Sequence, residues 1–266
     1  MDSAIFKRFR EIVYEHSGIS LRDTKEAMVS ARIAKRMRAL GISTHKRYLR
    51  HLEQDATGDE INLFLDVIST NVTSFFRESS HFDFLKRYVR EALADGRSKI
   101  RIWSTASSTG EEALSIAMAI HEVLGPRPFD FKILATDIST HVLARAKSGI
   151  YEQEQMVNVP ESLRKRYFAR KKTTGRVVFQ ARDVLKKHIV YRRLNLSRPP
   201  FPMRGQLDIV FCRNVMIYFD NPTRSRLVDE IYRLLLPGGY FLTGHAESLT
   251  SLENEFVCMQ PTIYKK

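Results

Sequence analysis

Apolar side chains recur at helical spacing through the first 70 residues. Each run is amphipathic, with apolar residues three or four positions apart and charged residues between them. We expect one helix to end near Gly18, a second to carry a basic face, and a third to follow. The supporting positions are Ile5, Phe9, Ile12 and Val13, then Val29, Ile33, Met37 and Leu40, then Ile61, Phe64, Leu65 and Ile68. Residues 1–70 are therefore predicted to form an all-helical domain.

The pattern changes beyond Lys99. Short β-branched runs, IRIWST, FKILAT and LDIVFCR, alternate with stretches of helical periodicity. Alternation of this kind is typical of βα units with a mostly parallel sheet covered by helices. The sequence predicts an α/β domain over residues 99–266, with a linker and the domain's first helix in 71–98. A turn at Pro237–Gly239 is expected before the strand GYFLTG.

A segment of about 156–196 interrupts the βα alternation. Its runs KKTTGRVVFQ and KHIVYRRLNL resemble short strands around polar turns. We expect a small antiparallel β insertion there.

Composition narrows the class of protein. The chain has 266 residues with ordinary apolar and charged fractions, which excludes collagen-like, coiled-coil and wholly disordered proteins. No apolar run approaches the roughly 18 residues of a membrane span, and the first residues do not resemble a signal peptide, so a cytoplasmic location is expected. Its 2 cysteines can build neither a disulfide framework nor a paired zinc motif, so no metal is expected.

Positive charge is concentrated near the N-terminus. The formal net charge is +13, and residues 27–52 contain no acid. The predicted second helix carries a candidate partner-binding face comprising Arg32, Lys35, Arg36 and Arg38. Such a face suits an acidic partner, and composition does not choose among nucleic acid, anionic lipid and acidic protein.

Two acidic positions follow strands that would end at the same edge of the sheet. The turn after IRIWST holds one glycine and then Glu111 and Glu112, whereas a dinucleotide site requires several glycines. Two carboxylates would suit a ligand bearing an ammonium and a sulfonium group; alternatively, they simply favour a helix N-terminus. Asp137, after FKILAT, could accept both hydroxyls of a ribose or could cap the helix expected from Thr140.

Two further segments place polar groups among large apolar residues. They are TNVTSFFRE, residues 70–78, and FCRNVMIYFD, residues 211–220. Amide, guanidinium and phenol groups are costly to bury without partners. They are either satisfied by the backbone or held for a ligand.

These segments, together with WSTASSTGEEALSIAM, ATDIS, LPGGYFLTGHAESL and PTIYKK, resemble the chemotaxis receptor methyltransferases, the CheR family. The motifs occur in the same order over nearly the whole chain. The resemblance implies a helical N-terminal domain and a Rossmann-like methyltransferase domain with a β-subdomain. It also implies that methyl groups pass from S-adenosyl-L-methionine to receptor glutamates, leaving S-adenosyl-L-homocysteine.

The resemblance implies a set of site residues. Arg77 and Tyr218 would orient the acceptor, although Tyr218 could also be a core tyrosine, and His245 would be structural or line the pocket. The chain departs from the family at Ser107 and at Ala113–Leu114, which places fine cofactor geometry in question. The cofactor residues would be Asn71, Thr73, Arg77, Glu112, Asp137, Asn195, Leu196, Arg213 and Asn214.

The expected partner is the cytoplasmic domain of a methyl-accepting chemotaxis receptor. We expect this protein to act as a monomer, to bind no nucleic acid and not to insert into a membrane. A nucleic-acid methyltransferase and an inactive cofactor-binding adaptor are the alternatives. Many relatives bind a receptor's C-terminal pentapeptide through a glycine-containing loop. Here the corresponding loop, 170–176, has one glycine and four basic residues, so strong pentapeptide binding is not expected.

Overall fold

The structure is a computed structural model that describes residues 1–173 and 175–266. Helices of the N-terminal part precede an α/β part, as the hydrophobic pattern predicts. The helices are α1 Ser3–Ser17, α2 Glu26–Ala39, α3 His45–Glu53, α4 Asp59–Ile68, α5 Ser80–Ala94, α6 Glu111–Leu124, α7 Thr140–Ser148, α8 Glu161–Tyr167, α9 Asp183–Lys186 and α10 Asn221–Leu234. The strands are β1 Lys99–Ser104, β2 Asp130–Asp137, β3 Ile150–Glu152, β4 Phe168–Thr173, β5 Arg176–Ala181, β6 Ile189–Arg193, β7 Leu207–Cys212, β8 Leu235–Thr243, β9 Val257–Gln260 and β10 Ile263–Lys265.

The N-terminal helices pack around a core of their own. Helix α1 begins where the Asp2 carboxylate accepts from Ala4 N at 2.8 Å, and it ends at Gly18, whose φ of 71° suits a residue without a side chain. The predicted apolar faces supply this core, in which Phe9, Ile33 and Phe64 are fully buried. The helical prediction for this region is therefore confirmed.

The main sheet has seven strands in the order β6-β2-β1-β7-β8-β10-β9. Strands β6, β2, β1, β7 and β8 pair in parallel, and β10 and β9 join antiparallel at one edge. Chain connections run outward in opposite directions from the β1–β7 pair. The carboxyl ends of β1 and β7 therefore flank the crevice in which ligands of open α/β sheets bind.

Two predictions for local structure need correction. The run KHIVYRRLNL does not join the antiparallel insertion: β6 pairs in parallel with β2 in the main sheet, with Ile133 opposite Ile189. Its apolar residues Ile189 and Tyr191 face the core, so they fit a parallel edge strand as well as a hairpin. The antiparallel sheet is instead β3-β5-β4.

The second correction concerns the turn expected at Pro237–Gly239, which lies inside strand β8. The pairing of β8 with β7 shifts register at this place, between Leu207 and Ile209 of β7.

The 170–176 segment, which corresponds to the pentapeptide-binding loop of relatives, comprises the end of β4, the connection to β5 and the first residue of β5. Gly175 there has a φ of 80°, and Thr174 lies outside the described residues. Strand β4 is an edge of the small sheet and exposes Lys171 and Lys172. Lysines on an edge strand discourage pairing with another chain. Weak pentapeptide binding remains a prediction.

Candidate active site

A cavity of about 410 Å³ lies at the carboxyl ends of the central strands, within the size range of small-molecule sites. Its walls come from the segment that follows α4, the turns after β1, β2 and β7, and the loop between α1 and α2. Ten residues singled out as cofactor or catalytic residues all line it. They are Asn71, Thr73, Arg77, Glu112, Asp137, Asn195, Leu196, Arg213, Asn214 and Tyr218.

Asp137 is fixed at the end of β2 by backbone donors. Its Oδ2 accepts from Ser108 N at 2.9 Å, and its Oδ1 accepts from Ser139 N at 3.0 Å. Helix α7 is capped by the Ser139 hydroxyl, which accepts from Val142 N. Asp137 is therefore not the cap, and each of its oxygens retains a lone pair for a ligand. Burial raises the pKa of Asp137, although the backbone donors oppose this shift.

The turn after β1 sends its two glutamates to different places. Gly110 begins α6 with a φ of 95°, and a Cβ there would lie 3.0 Å from the Tyr151 hydroxyl. Glu111 turns away from the cavity and accepts from Thr109 Oγ1 and Gln155 Nε2. Of these two glutamates, Glu112 lines the cavity and Glu111 does not. The residue pattern alone treated the two glutamates alike, whereas the family resemblance singled out Glu112.

Arg213 joins three chain segments beneath the cavity. Its Nη1 lies 3.1 Å from Glu112 Oε2, and its Nη2 lies 3.0 Å from Glu78 Oε2. The guanidinium also donates to the Arg77 carbonyl. Burial opposes ionisation of Glu78, but Arg213 outweighs it and holds the pKa of Glu78 below its usual value. Burial raises the pKa of Glu112.

Glu247 fixes the loop that follows β7. This buried carboxylate accepts from Asn214 N at 2.5 Å, Gly244 N at 2.8 Å and Ile217 N at 3.2 Å. Gly244 is required for the approach, because a Cβ there would lie 2.6 Å from Glu247 Oε2. We name Glu78, Arg213, Glu112 and Glu247 the paired floor. Sequence reasoning missed Glu78 and Glu247, although each lies within a quoted motif.

Backbone strain is concentrated around the cavity. Four non-glycine residues near it have positive φ: Phe76 at 52°, Glu78 at 55°, Ser108 at 47° and Asn214 at 58°. This conformation is disfavoured for residues with side chains and persists where surrounding contacts enforce it. Residues held in this way are common at ligand sites.

The mouth of the cavity differs from the floor. Arg77 is half-buried and donates to the Val72 carbonyl at 3.2 Å, and no carboxylate among residues 1–173 and 175–266 forms an ion pair with it. Tyr218 is half-buried and lies outside the three core clusters; within the described chain its hydroxyl has no hydrogen-bond partner. Val72 and Ile217 are exposed nearby. We name Arg77 and Tyr218 the unpaired mouth.

The remaining predicted cofactor residues line the walls of the cavity, and two of them form hydrogen bonds between chain segments. Asn195 donates to the His16 carbonyl at 2.8 Å and accepts from Ser197, which ties α1 to the α/β part. The Asn71 carbonyl accepts from Ser108 Oγ at 3.0 Å. Thr73 and Leu196 line the cavity, and His245 does not.

The candidate basic face divides into two pairs. Arg36 binds Glu60 at 3.1 Å through Nε, and Tyr48 donates to the same carboxylate at 2.7 Å. Arg32 donates to the carbonyl oxygens of Ile68 and Ser69, at the end of α4. These two arginines therefore join α2 to α4. Lys35 and Arg38 are exposed.

Comparison with known proteins accounts for this geometry. Residues 4–69 match the all-alpha domain of the CheR methyltransferases, and residues 71–265 match their SAM-binding domain. The chain belongs to the CheR methyltransferase family. The resemblance found in the sequence is confirmed, and so are the Rossmann-like fold class and S-adenosylmethionine as cofactor.

Curated relatives extend over nearly the whole chain. The chemotaxis protein methyltransferase of Escherichia coli is 37% identical, over 99% of this chain and 91% of its own length. Chemotaxis protein methyltransferase 2 of Pseudomonas aeruginosa is 40% identical over 97% and 91%. The relative from Borreliella burgdorferi is 37% identical over 97% and 93%. This CheR protein is thus an S-adenosylmethionine-dependent methyltransferase of chemotaxis, and the nucleic-acid alternative is not favoured.

The described residues fit the cofactor. Asp137 retains acceptor sites for ribose hydroxyls, and Glu112 can accept from an ammonium group. Arg77 or the amide of Asn71 can donate to a carboxylate. These groups lie in one cavity whose floor is already hydrogen-bonded, so binding requires little reorganisation.

Proposed function

We propose that this protein methylates glutamate side chains on the cytoplasmic helices of chemoreceptors, forming γ-methyl esters. The observation that carries the proposal is the unpaired mouth, where the Arg77 guanidinium and the Tyr218 hydroxyl have no protein carboxylate to bind among the described residues. A cation and a hydroxyl donor at the entrance suit an anionic acceptor. They would not select a neutral amine or a nucleobase.

The chemistry requires positioning more than proton transfer. When bound, S-adenosylmethionine supplies an electrophilic methyl carbon on a sulfonium. An acceptor glutamate is already ionised near pH 7, so no side chain must remove a proton. Arg77 and Tyr218 would both donate to the same oxygen of the acceptor carboxylate, which leaves its second oxygen free to attack the methyl carbon. Holding the acceptor oxygen in line with the methyl carbon lowers the activation barrier, because the entropy of bringing the reactants together is lost on binding and not during the reaction.

The paired floor would keep the cavity in shape during this step. Glu247 fixes the loop that carries Asn214 and Ile217, while Arg213 fixes Glu112. Preorganised groups do not have to reorient when charge is neutralised between carboxylate and sulfonium. His245 lies outside the cavity lining, which agrees with a reaction that needs no general base.

The same proposal covers partner and location. An acidic receptor helix complements the positive N-terminal part, in which Lys35 and Arg38 are exposed and available. Within residues 1–173 and 175–266, no helix combines the length and apolarity needed to cross a bilayer. We propose that the enzyme acts as a monomer in the cytoplasm on receptors that themselves span the membrane.

Transfer of labelled methyl groups to purified receptor cytoplasmic fragments, compared with transfer to RNA, tests this proposal. We expect label on the receptor fragment and none on RNA. Replacing the acceptor glutamates with alanine should abolish labelling of the fragment. Label on RNA, or on the glutamate-free fragment, would contradict the proposal.

A further inference from the structure

A cluster of three ligand-type side chains shares Glu78 with the paired floor and lies outside the cavity lining. It comprises Glu78, His81 in the first turn of α5, and His245 after β8. One nitrogen or oxygen of each lies within 4.8 Å of those of the others. The methyl-transfer chemistry does not use the two histidines.

The buried histidine presents an unpartnered nitrogen to this cluster. His81 is 1% exposed, and its Nε2 lies 2.7 Å from Thr262 Oγ1. Thr262 donates its own proton to the Pro261 carbonyl, so its oxygen accepts from His81 Nε2–H. The proton of the neutral ring is therefore on Nε2, and a bare lone pair remains on Nδ1. That lone pair has no hydrogen-bond partner in the described chain and lies 3.6 Å from Glu78 Oε2.

The Glu78 Oε2 that faces this lone pair also accepts from Arg213 Nε at 3.2 Å and from Nη2 at 3.0 Å. Two electron-rich atoms that face each other in a buried place are stabilised when a cation lies between them. The local charge also favours a cation, because the carboxyl groups of Glu78 and Glu112 share the single guanidinium of Arg213. Outer hydrogen bonds of this kind orient metal ligands in proteins: Thr262 fixes the imidazole, and Arg213 fixes the carboxylate.

We propose that Glu78, His81 and His245 form a binding site for a divalent transition-metal ion of the Zn²⁺ class. Two imidazoles and one carboxylate are a donor set for Zn²⁺ with an open fourth position, whereas Mg²⁺ and Ca²⁺ prefer oxygen ligands alone. Tetrahedral ligand atoms lie about 3.3 Å apart at Zn–N distances of about 2.0 to 2.1 Å. The exposed His245 side chain supplies the movement needed to close the remaining distance.

The fold explains why a sequence without a zinc motif would have this site. Glu78 and His81 are three residues apart, but His245 comes from a segment more than 160 positions along the chain. The site would bridge the start of α5 and the loop after β8. Glu78 also binds Arg213, which reaches Glu112 in the cavity, so an ion there is coupled to the cofactor site.

Titration of the untagged full-length protein with Co²⁺, followed by Zn²⁺ competition, tests the proposal. We expect one equivalent of Co²⁺ to give the visible absorption of a four- or five-coordinate nitrogen–oxygen site, and Zn²⁺ to remove it. His245→Ala should weaken binding at least tenfold. His141→Ala, an exposed histidine on α7, and Cys258→Ser, the exposed thiol, are the matched controls and should bind as the parent does.

A second variant tests the orienting contact without removing a ligand. Thr262→Val keeps the shape of the side chain and removes the oxygen that accepts from His81, so we expect metal affinity to fall by about 10- to 100-fold. Circular dichroism confirms that each variant is folded. Absence of a one-equivalent site, or equal affinity of the parent and His245→Ala, would overturn the proposal. Undiminished affinity of Thr262→Val would do the same.

Discussion

Arg213 and Glu112 of the paired floor line the same cavity as the unpaired mouth, but the floor and the mouth differ in how their polar groups are satisfied. In the floor, Arg213 has two carboxylate partners, and Glu247 accepts three backbone N–H groups. In the mouth, the one hydrogen bond that the Arg77 guanidinium makes within residues 1–173 and 175–266 is to the Val72 carbonyl, at 3.2 Å. Buried polar groups without partners are costly, so the floor must be complete before any ligand arrives. The mouth needs no protein partners because its half-buried side chains are reached by solvent.

The largest expected effect is on folding and distinguishes the two arginines. Arg213→Ala leaves Glu78 and Glu112 without their cation, and loss of one partner of a buried ion pair costs about 3 to 5 kcal/mol. Arg77→Ala is the matched control, and we expect it to cost less than about 1 kcal/mol because no carboxylate loses a partner. Urea unfolding measures both values. Similar decreases in the free energy of unfolding of the two variants would contradict the distinction between the paired floor and the unpaired mouth.

The next effect is on the chemical step. Tyr218→Phe removes one hydroxyl of the mouth with little change in volume, so single-turnover methylation of a receptor fragment should slow by about 10- to 100-fold, equivalent to about 1.4 to 2.7 kcal/mol. Calorimetric affinity for S-adenosylhomocysteine should remain that of the parent. A parent-like rate would show that the Tyr218 hydroxyl does not orient the acceptor.

A comparable or smaller effect on binding is expected at Asp137. Asp137→Ala should weaken S-adenosylmethionine and S-adenosylhomocysteine by about 1 to 3 kcal/mol, because the ribose hydroxyls lose their acceptor. Asp130→Ala, at the other end of β2 and away from the cavity, is the control. If calorimetry finds the same affinity for both folded variants, the ribose assignment is wrong.

The smallest effect is expected on receptor docking. Lys35→Ala with Arg38→Ala should raise the KM for the receptor fragment at low salt and leave cofactor affinity unchanged, since exposed charges are screened over about 8 to 10 Å at physiological ionic strength. Arg87→Ala with Arg90→Ala removes the same charge from the exposed face of α5. An equal rise in KM for the two double variants would show that receptor binding depends on the net charge of the protein and not on the α2 face that carries Lys35 and Arg38.

Arg32 and Arg36 are poor probes of docking for a structural reason. Their replacement would disturb the contacts with Ile68 and Glu60 that join α2 to α4. A loss of activity in such variants would therefore mix folding with recognition. Helical spacing identified these residues as basic but did not show which way their side chains turn.

What the sequence could predict depended on local pattern. Asp137 was recognisable because it directly follows a β-branched run, and the N-terminal helices because their apolar faces repeat. Glu247 and Glu78 were not recognisable, because two of the three donors to Glu247 and the guanidinium that binds Glu78 come from segments 30 or more residues away. Strand β6 was misassigned because a short apolar run does not reveal its neighbour. Long-range pairing is the part of the fold that local pattern does not encode.

Alkaline hydrolysis of the labelled receptor fragment tests the central claim of a carboxylate acceptor most directly. Methyl esters are cleaved by base, whereas methylated amines and amides are not. After transfer from methyl-labelled S-adenosylmethionine, we expect mild base to release the label as volatile methanol and to leave the fragment unlabelled. Label that remains on the fragment after this treatment would contradict glutamate methylation.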